Sequence, residues 1–380
     1  MCSIQNPKSL QNTGNMKRST RFRDLAKTAL ISGITGQDGA FLARFLLGQG
    51  YKVVGLRPYT ACDDRANIRG IENHTDFTLI RGDICDSGFL QHVLQQYSPD
   101  EIYNLAAMSH VAESSNTPEA TANINGLAVL KFLEAIRYSD IAKQVRFYQA
   151  SSSEMFGNTA APQNEQTEFA PCSPYASAKL FAYWTVRNYR DAYGLHASNG
   201  ILFNHESPLR GEEFVTRKIT KAIAAIMNGT QNVLELGNLN AQRDWGHAQD
   251  YVRGMWLMLQ QDIPDDYVLA SGQAHSVREF VNAAFLIAGV RITWQGEGLD
   301  ERGIDQQTGK TLVRVNPQFF RPSEVHHLLG DASKARRVLG WLPELTFDDL
   351  VTDMMKADLC GQTNQMKENQ GDDRKLYAAQ

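Results

Sequence analysis

The chain of 380 residues has few cysteines and no long apolar run. Its five cysteines are scattered and odd in number, and no two of them form a Cys-x-x-Cys pair. A disulfide framework or a bound metal is therefore not expected, and a reducing, cytoplasmic location is favoured. No apolar run approaches the roughly 18 residues needed to span a bilayer, so we expect no membrane segment.

An excess of positive charge is also missing, because 38 Lys and Arg stand against 42 Asp and Glu. A general nucleic-acid binder needs a basic surface to meet phosphate, so a nucleic-acid partner is not expected. Residues 1–27 are basic but have no apolar core of the kind that a secretory signal requires. They are interpreted as a disordered tail, with a transit peptide as the alternative, and residues 360–380 as a polar tail.

Between these tails, short apolar runs alternate with segments of helical periodicity. Strands are predicted at Thr28–Ser32, Tyr51–Leu56, Phe77–Ile80, Glu101–Ala107, Val145–Ala150 and Ser198–Phe203. Helices are predicted at Ala40–Leu47, Phe89–Tyr97, Leu127–Tyr138 and Pro174–Tyr193. Because such repetition builds a mostly parallel sheet with helices on both faces, we expect an α/β fold with a doubly wound sheet of Rossmann type.

A glycine-rich segment, Gly33-Ile34-Thr35-Gly36-Gln37-Asp38-Gly39, connects the first predicted strand to the first predicted helix. Glycines also mark ordinary turns, but this position between a strand and a helix is the one that dinucleotide-binding turns occupy. The glycines let backbone N–H groups approach a pyrophosphate, and the helix N-terminus favours its charge. The segment therefore predicts a dinucleotide cofactor.

No acid closes the second predicted strand, which ends Gly55-Leu56-Arg57. An acid there usually holds the 2'-hydroxyl of NAD, whereas an arginine favours the 2'-phosphate of NADP. NADP is therefore the expected cofactor, with a solvated surface arginine as the alternative interpretation of Arg57. After the third strand, Asp83 could place a carboxylate beside the adenine, although Asp after Gly is also common in turns.

The pattern becomes less regular beyond about residue 204. Strands at Val233–Leu236 and Arg291–Trp294, a helix at Val277–Ala288 and a loop at Gly296–Gly309 are predicted there. We expect residues 28–203 to form the dinucleotide-binding domain, with a later segment at about 240–275 returning to it. Residues 204–359 are expected to form mainly a smaller, partly interleaved α/β substrate-binding domain.

Tyr175 and Lys179 are four residues apart in the long predicted helix, so their side chains lie on one face. The ammonium is expected to lower the pKa of the tyrosine. The phenolate could then take a proton from a sugar hydroxyl as hydride leaves the same carbon for a nicotinamide. A chance spacing on a helix rich in aromatic residues is the alternative interpretation.

A run of hydroxyls that ends in a carboxylate, Ser151-Ser152-Ser153-Glu154, follows the predicted strand that ends at Ala150. With Tyr175 and Lys179 it would place a hydroxyl, a carboxylate, a phenol and an ammonium near one site. This combination suits hydride transfer coupled to proton abstraction and loss of water, and it indicates an enzyme. A buried structural carboxylate is the alternative for Glu154.

With these motifs the chain resembles the extended short-chain dehydrogenase/reductase superfamily, and within it the GDP-mannose 4,6-dehydratase family. The resemblance runs from about Thr28 to Leu359. It rests further on the blocks Phe203-Asn204-His205-Glu206-Ser207-Pro208, Phe214-Val215-Thr216-Arg217-Lys218, Arg243-Asp244-Trp245-Gly246-His247 and Phe320-Arg321-Pro322-Ser323-Glu324. Epimerases of the superfamily typically lack a glutamate two residues beyond the strand-end Ser or Thr, whereas these dehydratases carry it.

The resemblance implies that GDP-D-mannose is converted to GDP-4-dehydro-6-deoxy-D-mannose, a hydro-lyase reaction on the route to GDP-fucose and GDP-rhamnose. It implies that Tyr175, paired with Lys179, removes the O4 proton while hydride passes from C4 to NADP. Glu154 would then move the C5 proton to the departing C6 hydroxyl before hydride returns to C6. Ser152 would hydrogen-bond O4 and polarise the new ketone.

The resemblance also implies two sets of binding residues. Cofactor contacts are implied for residues 33–38 of the glycine-rich segment and for Asp83, Ile84, Leu105, Ala106, Ala107, Met108, Ser109, Lys179, His205 and Arg210. Substrate contacts are implied for Ser109, Ser152, Glu154, Tyr175, Asn204, Lys218, Arg243, Arg321 and Glu324. Cations suit the charge of a nucleotide diphosphate, although each arginine could instead form a surface ion pair. A homodimer or homotetramer is expected, with helices Leu127–Tyr138 and Pro174–Tyr193 as candidates for the contact.

The chain departs from the family pattern after the second strand. Many members have Arg-Arg-Ser where this chain has Leu56-Arg57-Pro58-Tyr59-Thr60, and Arg65 is a candidate to compensate. Met108 also replaces a usual glutamine. Another nucleotide-sugar enzyme, such as a GDP-mannoheptose dehydratase, an epimerase or a 4-reductase, therefore stays an alternative. A non-catalytic NADP-binding module is a further alternative, which the presence of Ser152, Glu154, Tyr175 and Lys179 counts against.

Overall fold

The computed structural model describes residues 26–59, 65–320 and 325–361. The two predicted tails lie almost wholly outside these residues, and so do Arg321 and Glu324. Among the described residues, no helix is both long and apolar enough to cross a membrane.

Strands and helices alternate through most of the chain. The strands are β1 (Thr28–Ser32), β2 (Lys52–Arg57), β3 (Phe77–Arg81), β4 (Glu101–Asn104), β5 (Arg146–Ser152), β6 (His196–Leu202), β7 (Asn204–Glu206), β8 (Leu234–Leu236), β9 (Gln242–His247), β10 (Asp266–Leu269), β11 (Ala274–Ser276), β12 (Ile292–Gln295), β13 (Arg302–Asp305), β14 (Thr311–Val315) and β15 (His327–Leu328). The helices are α1 (Gln37–Gly48), α2 (Ser87–Tyr97), α3 (Pro118–Ala122), α4 (Ala128–Arg137), α5 (Pro174–Tyr193), α6 (Val215–Met227), α7 (Ala248–Leu259), α8 (Val277–Ile287), α9 (Ser333–Leu339) and α10 (347–361).

The central sheet has seven parallel strands in the order β10-β6-β5-β4-β1-β2-β3. Apart from the edge strand β3, its strands are largely buried on both faces, and short apolar runs predicted every strand of the sheet except β10. On one face they pack against α1 and α7, and on the other against α2, α4 and α5. The predicted doubly wound α/β fold is therefore confirmed. Because the connections run to opposite sides of β1 and β4, a crevice opens where these strands end.

Two smaller sheets follow the sixth strand. One joins β7, β9, β11 and β15, and the other has the order β12-β13-β14-β8. A separate apolar core lies between these strands and α6, α8 and α10. Meanwhile α7 and β10 pack with the central sheet. This arrangement supports the proposed division of the chain near residue 203, with part of 240–275 returning to the first domain.

The predicted loop at Gly296–Gly309 is wrong, because β13 lies within it. This strand pairs with β12 on one side and β14 on the other. Its sequence, Arg302-Gly303-Ile304-Asp305, has one large apolar residue and so carries little strand signal of its own. Its conformation comes from backbone pairing with its two neighbours.

The far edge of the central sheet is held by a buried charge pair. The Asp266 carboxylate accepts hydrogen bonds from two Arg190 nitrogens, each at 2.9 Å, and from the Asn199 amide at 2.9 Å. Burial acts to raise the pKa of Asp266, but the hydrogen bonds and charge of Arg190 outweigh it, so the pKa lies below its usual value. The pair thereby joins α5 to β6 and β10.

Replacing Arg190 with Ala should lower the free energy of unfolding by about 3 kcal/mol, because it leaves the buried Asp266 charge with only the more distant Arg187 Nε, at 3.5 Å, as a cationic partner. Urea unfolding at neutral pH measures the loss. Since the Asp266 pKa is lowered in the folded state, the contribution of the pair exists above the unfolded pKa and is lost as pH falls. The difference between the two proteins should therefore shrink in acid. The control Lys221→Ala, which removes a surface pair with the exposed Glu212, should change stability little.

Candidate active site

The glycine-rich turn between β1 and α1 is tightly packed. Gly33 has a positive φ of 70°, and a Cβ on it would come within 2.9 Å of the Ala106 backbone. A Cβ on Gly39 would come within 2.3 Å of the Gly33 oxygen. Helix α1 is preceded by Gly36, which has no side chain to cap the first N–H groups. These groups point out of the helix end toward the sheet edge, and they fit a pyrophosphate.

The ends of the first three strands are joined by backbone hydrogen bonds. The Ile34 N–H donates to the Leu56 oxygen at 3.3 Å, and the Gly82 N–H donates to the Arg57 oxygen at 3.0 Å. Arg57 is buried at this edge. Asp83 is exposed, and one of its carboxylate oxygens accepts from the Cys85 N–H at 2.8 Å. This is the turn contact that was the alternative to a role beside the adenine. The neighbouring Ile84 is buried.

Ser32, Asn104 and Gln149 form a buried polar network at the carboxyl ends of β1, β4 and β5. Sequence reasoning missed this network. Ser32 donates to the Asn104 side chain at 2.6 Å, and the Asn104 amide donates to Gln149 at 2.8 Å. The Ser32 hydroxyl also accepts from the N–H groups of Leu105 and Ala106, each at 3.1 Å. The network therefore ties β1, β4 and β5 together. A signal existed in the sequence, since each of the three polar residues interrupts or ends an apolar strand.

Asn125 was also missed by sequence reasoning. It is buried in a π-helical turn, Asn123–Leu127, that connects α3 to α4. Its side chain accepts from the Met108 N–H at 2.8 Å and donates to the Met108 oxygen at 2.9 Å. It therefore holds the backbone after β4, where five cofactor contacts were predicted.

The four predicted catalytic side chains lie together where β5 ends and α5 begins. The Lys179 ammonium donates to the Ala150 oxygen at 2.8 Å and lies 5.8 Å from the centre of the Tyr175 ring. Tyr175 is hydrogen-bonded to Ser152. The Ser152 hydroxyl also accepts from the Glu154 N–H at 3.2 Å, at the start of a short 3-10 turn. All four side chains are at least nine-tenths buried.

The net pKa shift of Tyr175 is opposite to the one expected from its lysine neighbour. Burial raises the pKa of Tyr175 to about 12, although the hydrogen bond with Ser152 acts in the other direction. Burial also lowers the pKa of Lys179 to about 8, against the effect of the Asp38 charge. The expectation was wrong in sign because the cost of burying a phenolate outweighs the nearby positive charges. Lys179 still keeps most of its charge at neutral pH.

A partly buried ion pair connects the glycine-rich turn to β7. The His205 Nε2 and the Asp38 carboxylate are 2.8 Å apart, and His205 Nδ1 lies 2.7 Å from the Phe203 oxygen. Burial acts to raise the pKa of Asp38 and to lower that of His205, but their mutual attraction outweighs burial in both. The pKa of Asp38 is therefore lowered and that of His205 is raised. The His205 ring also stacks on Tyr251 at 4.5 Å.

The part of the site beyond β7 contains further charged groups. Glu206 is buried and accepts from the Thr216 hydroxyl at 2.7 Å, and its carboxylate lies 3.0 Å from the Arg210 Nε. The Arg210 guanidinium stacks over the Phe214 ring at 3.5 Å. Glu206 was missed as a site residue, although it stands in a block quoted for the resemblance. It fixes Arg210 and the start of α6 relative to each other.

Lys218 and Arg243 lie farther along the same cleft. The Lys218 ammonium is 3.2 Å from the centre of the Phe319 ring, and burial lowers the pKa of Lys218. Arg243 is buried in β9 and donates to the Gln242 oxygen at 2.9 Å. The cleft therefore carries positive charge in its outer part, away from Tyr175.

A cleft of about 560 Å³ brings most of the predicted site residues together. It is lined by Asp38, Leu105, Ala107, Ser109, Ser152, Glu154, Tyr175, Lys179, Asn204, His205, Arg210, Lys218 and Arg243. The other described residues of the prediction lie in the glycine-rich turn or next to strand ends: Gly33, Ile34, Thr35, Gly36, Gln37, Gly39, Arg57, Asp83, Ile84, Ala106 and Met108. Among the described residues, no cluster of His, Cys, Asp or Glu could hold a metal ion.

The chain is similar to known proteins in both sequence and fold. The family model described as GDP-mannose 4,6 dehydratase matches residues 30–354. A GDP-mannose 4,6-dehydratase of Sinorhizobium fredii is 58% identical over 88% of this chain and 97% of its own length. That of Drosophila melanogaster is 52% identical over 88% and 86%. A dTDP-glucose 4,6-dehydratase structure from Streptomyces venezuelae with bound NAD has a TM-score of 0.74, is 24% identical and covers 87% of this chain and 96% of its own. This last likeness shows the fold.

The Gly39→Ala variant should lose most dinucleotide binding, because the new methyl group would press on the Gly33 oxygen and displace the turn. We expect the dissociation constant to rise at least about tenfold, which corresponds to about 1.4 kcal/mol. Calorimetric titration with NADP measures it. The matched control is Gly48→Ala at the other end of α1, where a Cβ would meet nothing within 4 Å. Equal binding by both variants would contradict this account of the turn.

Proposed function

This chain belongs to the GDP-mannose 4,6-dehydratase family, and we propose that it converts GDP-D-mannose to GDP-4-dehydro-6-deoxy-D-mannose with loss of water. One observation favours a dehydratase over the other enzymes of the superfamily. The Glu154 carboxylate lines the same cleft as Ser152, Tyr175 and Lys179. Hydride transfer at a sugar carbon needs the phenol and the ammonium, but the loss of water needs one further acid and base.

The first stage removes hydrogen from C4 of the mannose ring. Tyr175 takes the O4 proton, and Ser152 donates a hydrogen bond to O4 as it becomes a ketone oxygen. Lys179 stabilises the phenolate, since its ammonium is fixed by the Ala150 oxygen beside the phenol ring. Burial opposes ionisation of Tyr175, so formation of the phenolate that takes the proton depends on the nearby Lys179 charge. NADP supplies the hydride acceptor at C4 and later the hydride donor at C6.

The second stage eliminates water across C5 and C6. The C4 ketone acidifies the C5 proton, and Glu154 removes it. The same carboxyl group then protonates the C6 hydroxyl, which leaves as water while a C5–C6 double bond forms. The product would be completed by hydride returning to C6 and by Tyr175 giving to C5 the proton that it took from O4. The cofactor is restored, so the overall reaction needs no external oxidant.

The choice of NADP over NAD belongs to this proposal. Arg57 stands buried at the end of β2, beside the glycine-rich turn, where an acid would favour NAD. Its charge suits the 2'-phosphate that distinguishes NADP. Asp38, His205 and Arg210 are proposed to contact the nicotinamide half, since all three line the cleft near Tyr175.

The outer part of the cleft is proposed to bind the GDP group. Lys218 and Arg243 supply positive charge for the diphosphate, with Asn204 as a hydrogen-bonding neighbour. Ser109 would meet the sugar. Arg321 and Glu324 stay predictions for the nucleoside end, because they lie outside the described residues.

The deciding assay incubates the purified protein with GDP-mannose and catalytic NADP and follows the sugar nucleotide by mass. A product lighter by one water, without net release of NADPH, is the expected result. A product of unchanged mass and altered stereochemistry would instead identify an epimerase. Net formation of NADPH with a ketosugar product would identify a dehydrogenase.

Replacing Glu154 with Gln should allow C4 oxidation but block the loss of water, because the amide can neither take the C5 proton nor donate one to the hydroxyl. We expect NADPH absorbance to rise once, to at most one equivalent per chain, while no dehydrated product forms. The control Glu168→Gln changes an exposed glutamate outside the cleft and should dehydrate normally. Dehydration by the Glu154 variant at the wild-type rate would remove this residue from the mechanism.

A homodimer or larger oligomer is also proposed. Large apolar side chains are exposed along α5 and next to α4, namely Leu127, Tyr138, Phe181, Trp184 and Tyr193. Of these, Phe181, Trp184 and Tyr193 line a groove that also contains Leu130, Leu180 and Tyr189. Several large apolar side chains exposed along one pair of helices are unusual on a monomer, and two antiparallel copies of these helices could cover them.

Replacing Trp184 with Asp should shift the protein toward monomers, because a charge would have to be buried in the helix contact. Sedimentation velocity measures the change. The matched control is Ile263→Asp, which alters a residue that is 79% exposed on another surface. An unchanged sedimentation coefficient in the Trp184 variant would place the subunit contact elsewhere.

A further inference from the structure

Two arginines stand side by side where β2 and β3 end. Arg57 and Arg81 are register partners in the parallel ladder between these strands. Residues in register in a parallel sheet point to the same face, and side chains alternate along each strand. Arg57 is four residues after Val53 and Arg81 is four after Phe77, and both of these apolar residues pack in the core that includes α1. Both arginines therefore lie on the face of the sheet that carries α1.

The same place is the edge of the glycine-rich turn. The Ile34 N–H of the turn donates to the Leu56 oxygen, one residue before Arg57. The next hydrogen bond along the edge joins Gly82, one residue after Arg81, to the Arg57 oxygen. The turn and the two arginines thus form one continuous row. An adenosine ribose whose pyrophosphate sits at the N-terminus of α1 would have its 2'-position at this row.

Arg57 and Arg81 differ in exposure, and together they suit one phosphate group. Arg57 is 2% exposed, whereas Arg81 is exposed. Within the part of the chain that the structure describes, no hydrogen bond or ion pair of the Arg81 guanidinium is present. Positive charges on two register partners attract an anion to this row, and the exposed Arg81 is open to a ligand. A phosphate can accept from both guanidinium groups.

Arg65 is less suited to this role than Arg81. It lies within 3.8 Å of Glu72, so an acid already meets part of its charge. A second pair of register partners, Arg302 and Arg314, occurs between β13 and β14. Both of these arginines are exposed, and no glycine-rich turn adjoins them, so this pair offers a comparison without a phosphate site.

We propose that Arg81 and Arg57 together bind the 2'-phosphate of NADP, and that Arg81 is a second determinant of the preference for NADP over NAD. This inference rests on the proposed use of NADP. Arg81 comes from β3, so it would replace a cation that the family usually supplies from the segment directly after β2.

Direct binding tests the role of Arg81 without using activity. Isothermal titration calorimetry compares NADP with NAD, and adenosine 2',5'-bisphosphate with 5'-AMP, for the wild-type chain and the Arg81→Gln variant. Loss of one partly exposed contact to phosphate should weaken binding of both 2'-phosphorylated ligands about tenfold and leave NAD and 5'-AMP unchanged. Arg81→Lys keeps the charge but not the fork of donors, and should fall between the two. Arg314→Gln is the matched control and should bind all four ligands like the wild type.

The outcomes separate this inference from the proposed use of NADP. If the wild-type chain binds NADP no tighter than NAD, both are overturned. If it prefers NADP but Arg81→Gln keeps the same ratio of affinities, only the role of Arg81 is overturned. Equal weakening of NADP and NAD in this variant would also overturn it, because a damaged turn weakens both ligands. The wild-type preference should in addition shrink as salt is raised, since Arg81 is exposed.

Discussion

The contact between the Lys179 ammonium and the Ala150 oxygen is the interaction on which the cleft depends. Lys179 is 3% exposed, and a buried ammonium without an acceptor would be strongly destabilising. By donating to the last part of β5 at 2.8 Å, it sets the rotation of α5 about its own axis. Tyr175 lies one turn earlier on α5, so this rotation also places the phenol beside Ser152. Glu154 comes two residues after Ser152, and its N–H donates to the Ser152 hydroxyl, so its position is tied to the same strand end.

The remainder of the site is arranged around the carboxyl edge of the central sheet. Backbone groups at the ends of parallel strands have no further strand to pair with, and this protein satisfies them with side chains and turns. Ser32 accepts from the backbone after β4, and Asn104 connects to Gln149 on β5. The pair of Asp38 and His205 then carries the connection from the turn to β7. The parts of the cleft proposed to face the cofactor and the substrate are therefore both held by buried or partly buried polar contacts.

Most strands and helices of the central sheet could be predicted, because buried strands are apolar runs and surface helices repeat every three to four residues. The errors have physical reasons. The fourth strand was predicted to reach Ala107 but ends at Asn104, since the next two N–H groups donate to Ser32 and not to a neighbouring strand. The polar strand β13 was taken for a loop because its partners, β12 and β14, decide its conformation.

The sequence by itself determined the features that depend on near neighbours in the chain: the glycine-rich turn, the spacing of Tyr175 and Lys179, and the carboxylate two residues after Ser152. Only the tertiary structure decided the direction of the Tyr175 pKa shift, which follows from burial. It also decided the pairing of Asp38 with His205, which are 167 residues apart, and the register that sets Arg57 beside Arg81. Turn geometry and helical periodicity are local properties. Burial, strand register and charge pairing depend on which distant segments pack together, and no local pattern contains that information.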